Sequence, residues 1–231
     1  MTARETFEAK YIAPLNEQQR VAARTVDGPV LLLAVPGSGK TTVLVTRLGY
    51  MVYCCGIAPE SVLTMTYTVA ATGDMKRRFA SLFEPEYADR LEFRTINGVS
   101  SKIIRYSGEY YRRQAFRLLD NDAELTELVR SICQSVNEEY AEMGTVKDIR
   151  SAIAFIKNMM LTDGEIDSME TGIENFPEIY RRYQEELKKR KRMDFDDQMC
   201  YAKRILETCC SVTKFMYTGQ NYCIFYKIMV Y

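Results

Sequence analysis

A short apolar run that leads through a glycine-rich turn into a helix is the feature that most constrains this chain. The run is Val30–Val35, and the turn and helix start that follow it read Pro36-Gly37-Ser38-Gly39-Lys40-Thr41-Thr42. Gly37 and Gly39 permit a tight turn and let backbone N–H groups approach a bound phosphate closely. The helix directs the positive end of its dipole at the same place. We therefore predict a buried strand over Val30–Val35, followed by a phosphate-binding loop.

Two side chains at the start of this helix supply the chemistry that a nucleotide's phosphates require. Lys40 offers a positive charge to the β- and γ-phosphates, and the Thr41 hydroxyl suits a Mg²⁺ ion. The strict phosphate-loop pattern has a glycine where this chain has Ala34. The alternative interpretation is a chance Gly-Ser-Gly turn, which the Lys-Thr pair after the turn disfavours.

Composition narrows the class of protein. The 231 residues are enough for one large domain or for one domain with an insertion. The 31 Lys and Arg residues balance 31 Asp and Glu residues, so the chain shows no global basic signal for nucleic acid, although a neutral chain can still carry a basic groove. The sequence shows neither a leader pattern nor an apolar run long enough to span a bilayer. We therefore expect a cytoplasmic protein without a membrane partner.

Cysteine and histidine usage excludes two kinds of site. The chain has seven cysteines, none of them in a C-x-x-C pair, and it has no histidine. Zinc sites of the usual kind and histidine-based acid/base catalysis are therefore excluded. The odd count and an expected cytosolic location favour reduced, mostly buried thiols.

The apolar patterns around the loop predict an α/β fold. We expect a helix from Leu15 to Ala23 that Asn16 caps, and a helix over residues 41–55. Further along, the patterns predict a strand, a helix and a strand in turn: Ser61–Thr68, Ala70–Phe83 and Leu91–Ile96. This order implies a parallel sheet with right-handed crossovers, in which ligands bind at the carboxyl ends of the strands.

From about Asn97 to Arg192 the pattern predicts helices and no strand. We interpret this region as a helical insertion, and we expect Thr145 and Asp148 to form a capping box. Three helix faces carry the apolar stripes: Leu125, Leu128, Val129, Ile132 and Val136; Val146, Ile149, Ile153, Ile156 and Met160; Ile179, Tyr183 and Leu187.

Three later segments are open to more than one interpretation. The basic run Lys188–Arg192 can contact a phosphate backbone, but cations at a helix C-terminus are the favoured interpretation. The acidic run Asp194–Asp197 can hold a metal, although a cap on a helix that ends near Leu206 is favoured. The segment Tyr222–Tyr231 has the composition of a strand.

Five stretches together resemble the amino-terminal part of superfamily 1 DNA helicases of the UvrD/Rep/PcrA type. They occur in the family's order over about residues 11–207, which makes the resemblance specific. The matches are Leu15-Asn16-x-x-Gln19 to the Q motif, Ala34–Thr41 to the A-x-x-G-S-G-K-T loop, Thr66–Ala71 to motif Ia, Arg94–Gly98 to motif Ib, and Asp194–Asp197 to the family's D-F-D-D.

The resemblance implies a RecA-like P-loop NTPase fold, with helices on both faces of a parallel sheet and an inserted all-helical subdomain. It implies core subdomain 1A over residues 1–97, helical subdomain 1B over 98–192, and a return to 1A over 193–231 with an atypical tail. The implied cofactors are ATP and Mg²⁺, and the implied partner is single-stranded DNA or its junction with a duplex. The implied activity is ATP-driven 3′→5′ translocation and unwinding.

The resemblance also implies roles for individual residues. Lys40 and Thr41 would be the catalytic residues, with Thr41 as the Mg²⁺ ligand. Gln19 would contact adenine, and Arg47 would lie near the base. The implied nucleotide contacts are Gln19, Ala34, Val35, Pro36, Gly37, Ser38, Gly39, Lys40, Thr41, Thr42 and Arg47. The implied DNA contacts are Thr66, Tyr67, Thr68 and Thr95.

Several departures from the family pattern limit the expected activity. Val69 and Ala70 replace the Asn-Lys of motif Ia, and Asn97 replaces the histidine of motif Ib. The family's acidic Walker B pair follows D-F-D-D, whereas the final run of this chain contains no acid. The second RecA-like domain, with its arginine finger, is also missing. We hypothesise that the tail from about Cys209 is not family sequence, and we expect weak nucleotide binding with little hydrolysis.

Two other functions remain open. A non-catalytic helicase remnant would bind only DNA, nucleotide or a protein partner. A small-molecule kinase would use the same loop, but the long helical insertion and the Q-motif match disfavour it.

Overall fold

A computed structural model of the chain describes residues 2–28, 30–33, 35 and 37–213. It is mostly helical, with two small parallel sheets. The described residues up to Val99 form one compact unit, and Ser100–Thr213 form a second. The subdomain bounds inferred from the sequence stay a prediction, and the strand-like segment Tyr222–Tyr231 lies outside the described residues. Within the described ranges, no helix is long and apolar enough to cross a membrane.

The first unit alternates helices with two strands. The helix α1 continues into a π-helical turn at Glu8–Ile12, and a 3₁₀ turn at Pro59–Ser61 precedes the first strand. The elements are α1 (Ala3–Phe7), α2 (Glu17–Arg24), α3 (Lys40–Tyr53), β1 (Leu63–Thr66), α4 (Val69–Leu82), α5 (Pro85–Arg90), β2 (Glu92–Thr95) and α6 (Ile96–Tyr111), the last of which runs on into the second unit.

The strands β1 and β2 pair in parallel, as the alternation of strand and helix predicts. Their register places Leu63 opposite Glu92 and Thr66 opposite Thr95. Since the strands run in the same direction, Thr66 and Thr95 mark the carboxyl ends of both strands at one edge of this sheet. The helix predicted from Leu15 to Ala23 and its cap at Asn16 are also confirmed.

The prediction of a buried strand over Val30–Val35 is wrong for the part that the structure describes. Residues 30–33 and 35 are not in a strand, and Leu31, Leu33 and Val35 are each about two thirds exposed or more. A strand needs a hydrogen-bonded neighbour for its backbone groups. Among the described residues, β1 and β2 pair only with each other, so the apolar pattern of this run has no partner strand to pack beside.

The core of the first unit surrounds α3, which is buried on every side from Val43 to Met51. Val45, Leu48 and Met51 pack with Phe79 of α4. At the other end of the helix, Tyr50 packs into an aromatic cluster together with its neighbours Phe7, Tyr11, Tyr53 and Phe83. This packing fixes α3, and therefore fixes the turn from which α3 starts.

The second unit is helical except for one short strand pair. Its further elements are β3 (Arg117–Leu118), α7 (Asp122–Asn137), α8 (Met143–Met159), α9 (Asp163–Asp167), α10 (Phe176–Lys189), β4 (Arg192–Met193) and α11 (Phe195–Thr208). The expectation that this region has no strand is therefore wrong in one place. The strands β3 and β4 pair in parallel over two residues each, which is too short a length to leave a periodic signal in the sequence.

The three apolar stripes predicted for the helical region meet in one core. Leu128, Ile149, Ile179 and Leu187 are almost completely buried in it. Met160 is an exception, because α8 ends at Met159 and Met160 adopts a left-handed backbone conformation with a half-exposed side chain. The predicted capping box at Thr145 is also wrong, since α8 already begins at Met143, after Glu142.

A buried ionic cluster connects α8, α10 and α11. The Lys157 ammonium of α8 donates to Asp194 Oδ2 at 2.5 Å and lies 2.9 Å from Asp197 Oδ1, and the lysine side chain is only 3% exposed. The Tyr183 hydroxyl of α10 donates to the same Asp194 oxygen at 2.8 Å. Asp194 also caps α11 by accepting from the Asp197 N–H, so the helix cap favoured from the sequence is confirmed.

The charges in this cluster stabilise one another against the cost of burial. Burial opposes ionisation of Asp194, but Lys157, the Asp197 amide and the Tyr183 hydroxyl together lower the pKa of Asp194. Burial also raises the pKa of Tyr183 well above its usual range, so its hydroxyl keeps its proton and remains a donor. Removal of Lys157 would leave two carboxylates in an apolar setting without a compensating charge.

We predict that Lys157→Ala destabilises the folded chain by about 3–5 kcal/mol, the cost of breaking a buried ion pair. The control is Lys147→Ala, because Lys147 is exposed on the same helix and is expected to change stability by less than about 0.5 kcal/mol. Urea unfolding followed by circular dichroism measures both. Equal losses in the two variants would show that the cluster does not stabilise the fold.

Candidate nucleotide site

The predicted phosphate loop forms a closed turn ahead of α3. The Ser38 N–H and the Ser38 hydroxyl both donate to the Val35 carbonyl, at 3.2 and 2.7 Å. Gly37 and Gly39 each have φ of +79°, a left-handed conformation that costs other residues free energy. The glycine pattern of the sequence therefore corresponds to a real backbone requirement. Two residues assigned to the nucleotide, Ala34 and Pro36, lie outside the described residues.

Gly39 forms the N-cap of α3 and carries no side chain that could cap the helix. The first i→i−4 hydrogen bond of α3 runs from the Val43 N–H to the Gly39 carbonyl, at 3.0 Å. The N–H groups of Lys40, Thr41 and Thr42 lie ahead of it, in the first turn where the helix supplies no acceptor. Amides in this position, together with the helix dipole, favour a bound anion.

Gln19 contacts the loop directly, which its sequence assignment to adenine did not predict. Its Nε2 donates to the Ser38 carbonyl at 3.0 Å, and its Oε1 accepts from the Asn16 N–H at 3.1 Å. The Gln19 N–H in turn donates to Asn16 Oδ1, which completes a capping box at the start of α2. The capping box orients the side-chain amide of Gln19, and this amide in turn holds the loop through the Ser38 carbonyl.

Arg47 connects α3 to α2 from inside the unit. Arg47 lies about two turns along α3 from Lys40 and is 3% exposed, and its Nη1 donates to the Ala22 carbonyl at 2.9 Å. This contact positions the two helices that carry Gln19 and Lys40. The role near the base that the resemblance implies for Arg47 stays a prediction.

The four residues assigned to DNA lie at or just after the carboxyl ends of β1 and β2, but their side chains differ in accessibility. Thr66 is buried, and its hydroxyl bonds to the Thr68 carbonyl and to the Thr72 hydroxyl. Thr68 caps α4 by accepting from the Ala71 N–H, and Thr95 accepts from the Gly98 N–H. The ring of Tyr67 is 64% exposed and is the accessible group of the four.

The six cysteines among the described residues are free, in agreement with the prediction of reduced thiols. The expectation that the thiols are mostly buried is wrong for these six, because only Cys133 is buried, whereas Cys55 and Cys210 are exposed and the other three are partly buried. Burial raises the pKa of Cys54, at the end of α3, to about 11, so this side chain is a neutral thiol at physiological pH.

We predict that Gly39→Ala destabilises the chain more than Gly37→Ala does. Each substitution places a side chain at positive φ, which costs about 1–2 kcal/mol. A Cβ at Gly39 would lie 3.3 Å from Gln19 Nε2, whereas a Cβ at Gly37 meets no atom within 4 Å. The extra cost is expected to disappear in a Gln19→Ala background. Urea unfolding of the two glycine variants, each with and without Gln19→Ala, measures this extra cost. An identical loss of stability at both glycines in the native background would contradict the contact between residue 39 and Gln19.

Comparison with known proteins gives the family. The family model for the UvrD/REP helicase N-terminal domain matches residues 15–223, which include the phosphate loop, Gln19 and the acidic run at Asp194. The matched range continues past Cys209, so the hypothesis that family sequence ends near Cys209 is not supported up to residue 223.

Relatives in bacteria give the same result. The chain is 30% identical over 186 residues to the ATP-dependent DNA helicase PcrA of Leuconostoc citreum, covering 79% of this chain and 25% of that protein. It is 28% identical over 207 residues to PcrA of Bacillus subtilis, and this alignment covers 88% of this chain and 28% of that protein. It is 26% identical over 195 residues to the ATP-dependent DNA helicase Rep of Buchnera aphidicola, and this alignment covers 84% of this chain and 29% of that protein. The chain thus spans between a quarter and a third of the length of these relatives, and it belongs to the UvrD/REP helicase N-terminal domain family.

Proposed function

We propose that this chain is the ATP-binding N-terminal part of an ATP-dependent 3′→5′ DNA helicase. The observation that carries the proposal is the turn at Gly39, where a left-handed N-cap places the first-turn amides of α3 next to a loop that Gln19 holds. Relatives whose names state ATP-dependent DNA helicase activity support it. In the complete enzyme, ATP binding and hydrolysis would drive movement along single-stranded DNA.

Different groups in the loop and in the first turn of α3 would bind different parts of a triphosphate. The backbone N–H groups around Ser38 and in the first turn of α3 donate to phosphate oxygens, and the Lys40 ammonium adds a positive charge at the β- and γ-phosphates. The Ser38 hydroxyl already donates to the Val35 carbonyl within the loop. The Thr41 hydroxyl, partly exposed on the first turn of α3, is therefore the oxygen ligand that fits Mg²⁺. A Mg²⁺ ion held by Thr41 would neutralise part of the negative charge of the phosphates.

Gln19 has two uses in this proposal. Its amide holds the Ser38 carbonyl, and the family resemblance assigns the same amide to adenine. Gln19 Nε2 carries two N–H groups, one of which donates to the Ser38 carbonyl, so a bound base that takes the other would share this amide with the loop. Base recognition and loop geometry are therefore coupled through this side chain.

The DNA contacts follow from accessibility. Tyr67 offers an exposed ring on which a base can stack, next to Val69, which is 80% exposed. Thr66 and Thr68 use their hydroxyls within the protein, so they shape the turn that presents Tyr67. We assign the base contact at the edge of the β1–β2 sheet to Tyr67.

A chain that binds nucleotide without hydrolysing it is the second candidate. One observation favours it: residues 30–33 and 35, which lead into the loop, are not in a strand and pair with no strand among the described residues. DNA-stimulated release of phosphate from ATP distinguishes the two candidate functions. Robust ATP hydrolysis by the purified chain would exclude a function limited to binding.

We predict that Lys40→Ala weakens binding of mant-ATP with Mg²⁺ by about tenfold to hundredfold, because one charge-assisted hydrogen bond contributes about 1.5–3 kcal/mol. The control is Lys10→Ala, which removes an exposed lysine from the same unit and is expected to leave affinity within about twofold. Fluorescence titration of the chain measures both. Unchanged affinity in Lys40→Ala would contradict the proposed phosphate site.

We predict that Thr41→Ala removes most of the gain in nucleotide affinity that Mg²⁺ provides, because it deletes the metal's protein ligand. In excess EDTA the variant and the native chain should bind mant-ATP equally. Thr25→Ala serves as the control, since Thr25 is exposed at the end of α2 and its hydroxyl donates to the Val21 carbonyl. A full Mg²⁺ effect in Thr41→Ala would exclude Thr41 as the ligand.

A further inference from the structure

A groove in the second unit contains a buried amide that the fold leaves without a partner. Gln198, near the start of α11, is only 4% exposed. Its backbone N–H donates to the Asp194 carbonyl at 3.0 Å, but among the described residues its side-chain amide hydrogen-bonds to no protein group. Folded proteins pair almost all of their buried polar groups, so an unpartnered amide at this depth requires an explanation.

The carboxylates beside Gln198 are buried to a similar depth, yet both are paired. Asp194 and Asp197 are each 7% exposed, and their oxygens lie 2.5 and 2.9 Å from the Lys157 ammonium. The unpaired amide of Gln198 is therefore not a general property of this part of the second unit. A side-chain amide carries two N–H donors and one carbonyl acceptor, and all of them are available here.

Gln198 lines a groove of about 450 Å³ that lies wholly within the second unit, and this space is named the Gln198 groove. Its volume falls in the range of about 300–1,000 Å³ that is typical of small-molecule sites. The parallel pair β3–β4 sets Leu118 opposite Met193, which fixes two of its apolar walls. Ile104 of α6 supplies a third apolar wall. Apolar walls around a few polar groups are the usual composition of such sites.

Phe116 adds an aromatic ring to the lining of the Gln198 groove. This ring meets the ring of Tyr201 edge to face, with 6.5 Å between the centroids and an angle of 86° between the planes. The contact with α11 holds the Phe116 ring in place, and the ring is only partly buried. A flat ring of a ligand packs favourably against an aromatic surface of this kind.

The charged side chains of the groove have a positive sum. Arg105 and Arg113 line it, both are exposed, and neither makes an ion pair among the described residues. Glu109 also lines the groove and offsets one of these two charges. The Arg113 N–H donates to the Gly108 carbonyl at 2.8 Å, and this hydrogen bond brings the chain back over α6. Arginines in such a position bind a carboxylate through charge-assisted hydrogen bonds.

We propose that the Gln198 groove binds a small, flat heterocycle that carries an anionic substituent. Neighbouring N–H and C=O groups of the heterocycle, as in a lactam, pair with the Gln198 amide, and the ring packs against Phe116. The anionic substituent lies at Arg105 and Arg113. A plain benzene ring would leave the amide unpaired, and a neutral heterocycle would leave the arginines without a counter-charge. This inference does not depend on the proposed nucleotide site, whose residues lie in the first unit.

The probe is orotate, a pyrimidine with lactam groups and a carboxylate, and its affinity is measured by ligand-observed NMR titration of the native chain. Uracil keeps the lactam groups without the charge, and benzoate keeps the charge without the lactam groups. The native chain should bind orotate at least about fivefold more tightly than it binds either of them, because only orotate meets both the amide and the arginines. Equal affinity for orotate and benzoate would overturn the proposal.

Gln198→Met tests the role of the amide. It should weaken orotate binding about tenfold and leave benzoate binding within about twofold, because only the lactam groups hydrogen-bond to the amide. The matched control is Gln184→Met, since Gln184 is a partly buried glutamine of α10 whose amide donates to the Tyr180 hydroxyl at 3.4 Å. This control should bind orotate within about twofold of the native chain. Unchanged orotate affinity in Gln198→Met would exclude the amide as a ligand contact and overturn the proposal.

The double variant Arg105→Gln, Arg113→Gln tests the role of the charge. It should weaken the binding of orotate and of benzoate about tenfold each and leave uracil binding within about twofold. The control is Arg117→Gln, Arg204→Gln, which removes the same charge from exposed arginines of the same unit that do not line the groove. Equal weakening by the two double variants would reveal only a general attraction of anions and overturn the proposed site.

Urea unfolding without ligand gives an independent check on Gln198. Because the amide makes no hydrogen bond to the protein, its replacement by the apolar side chain of methionine should not lower the urea midpoint. A clear fall in the midpoint would show that the fold itself uses the amide, which would overturn the proposal. The nucleotide site is tested separately, since Lys40→Ala should keep its affinity for orotate and Gln198→Met should keep its affinity for mant-ATP. The oligonucleotide dT16 should not displace orotate, and displacement would overturn the assignment of the groove to a small molecule.

Discussion

The left-handed backbone at Gly39 is the constraint on which the candidate site depends. It turns the chain abruptly from the loop into α3, so the amides of the first helical turn emerge beside the Ser38 carbonyl that Gln19 holds. A side chain at Gly39 would strain the turn and press on Gln19 at once. The helix itself is fixed by burial from Val43 to Met51, so the direction of its N-terminus is set by packing along the helix.

The second unit is organised by a different interaction, a lysine buried between two aspartates. Lys157 lies on α8 and Tyr183 on α10, and both side chains contact the carboxylate of Asp194 at the start of α11. A buried ion pair is a weak source of net stability, because desolvation offsets the attraction. Breaking it is costly, since a shift of any one helix would leave a charge buried and unpaired. The acidic run that suggested a metal site in the sequence thus acts as a helix cap and a buried counter-charge.

The sequence located much of the fold and the centre of the site, because those features depend on local rules. The helices around Asn16, Leu128, Ile149 and Ile179 follow from caps and apolar periodicity, and the turn before Lys40 follows from glycine. It did not locate the short pair β3–β4, whose strands carry no period. It wrongly predicted a buried strand over Val30–Val35, because an apolar run forms a strand only where a neighbouring strand exists.

What the sequence alone determined is the kind of chemistry, since a Gly-Ser-Gly-Lys-Thr turn at a helix start suits phosphate wherever it occurs, and the family followed from five motifs in order. Tertiary structure decided which side chains are free to act. It buried the Thr66 hydroxyl and exposed the ring of Tyr67, and it attached Gln19 to the loop. It also placed Arg117 beside Lys191, residues far apart in the chain. Accessibility and long-range proximity arise from packing between elements, and no local pattern in a sequence encodes them.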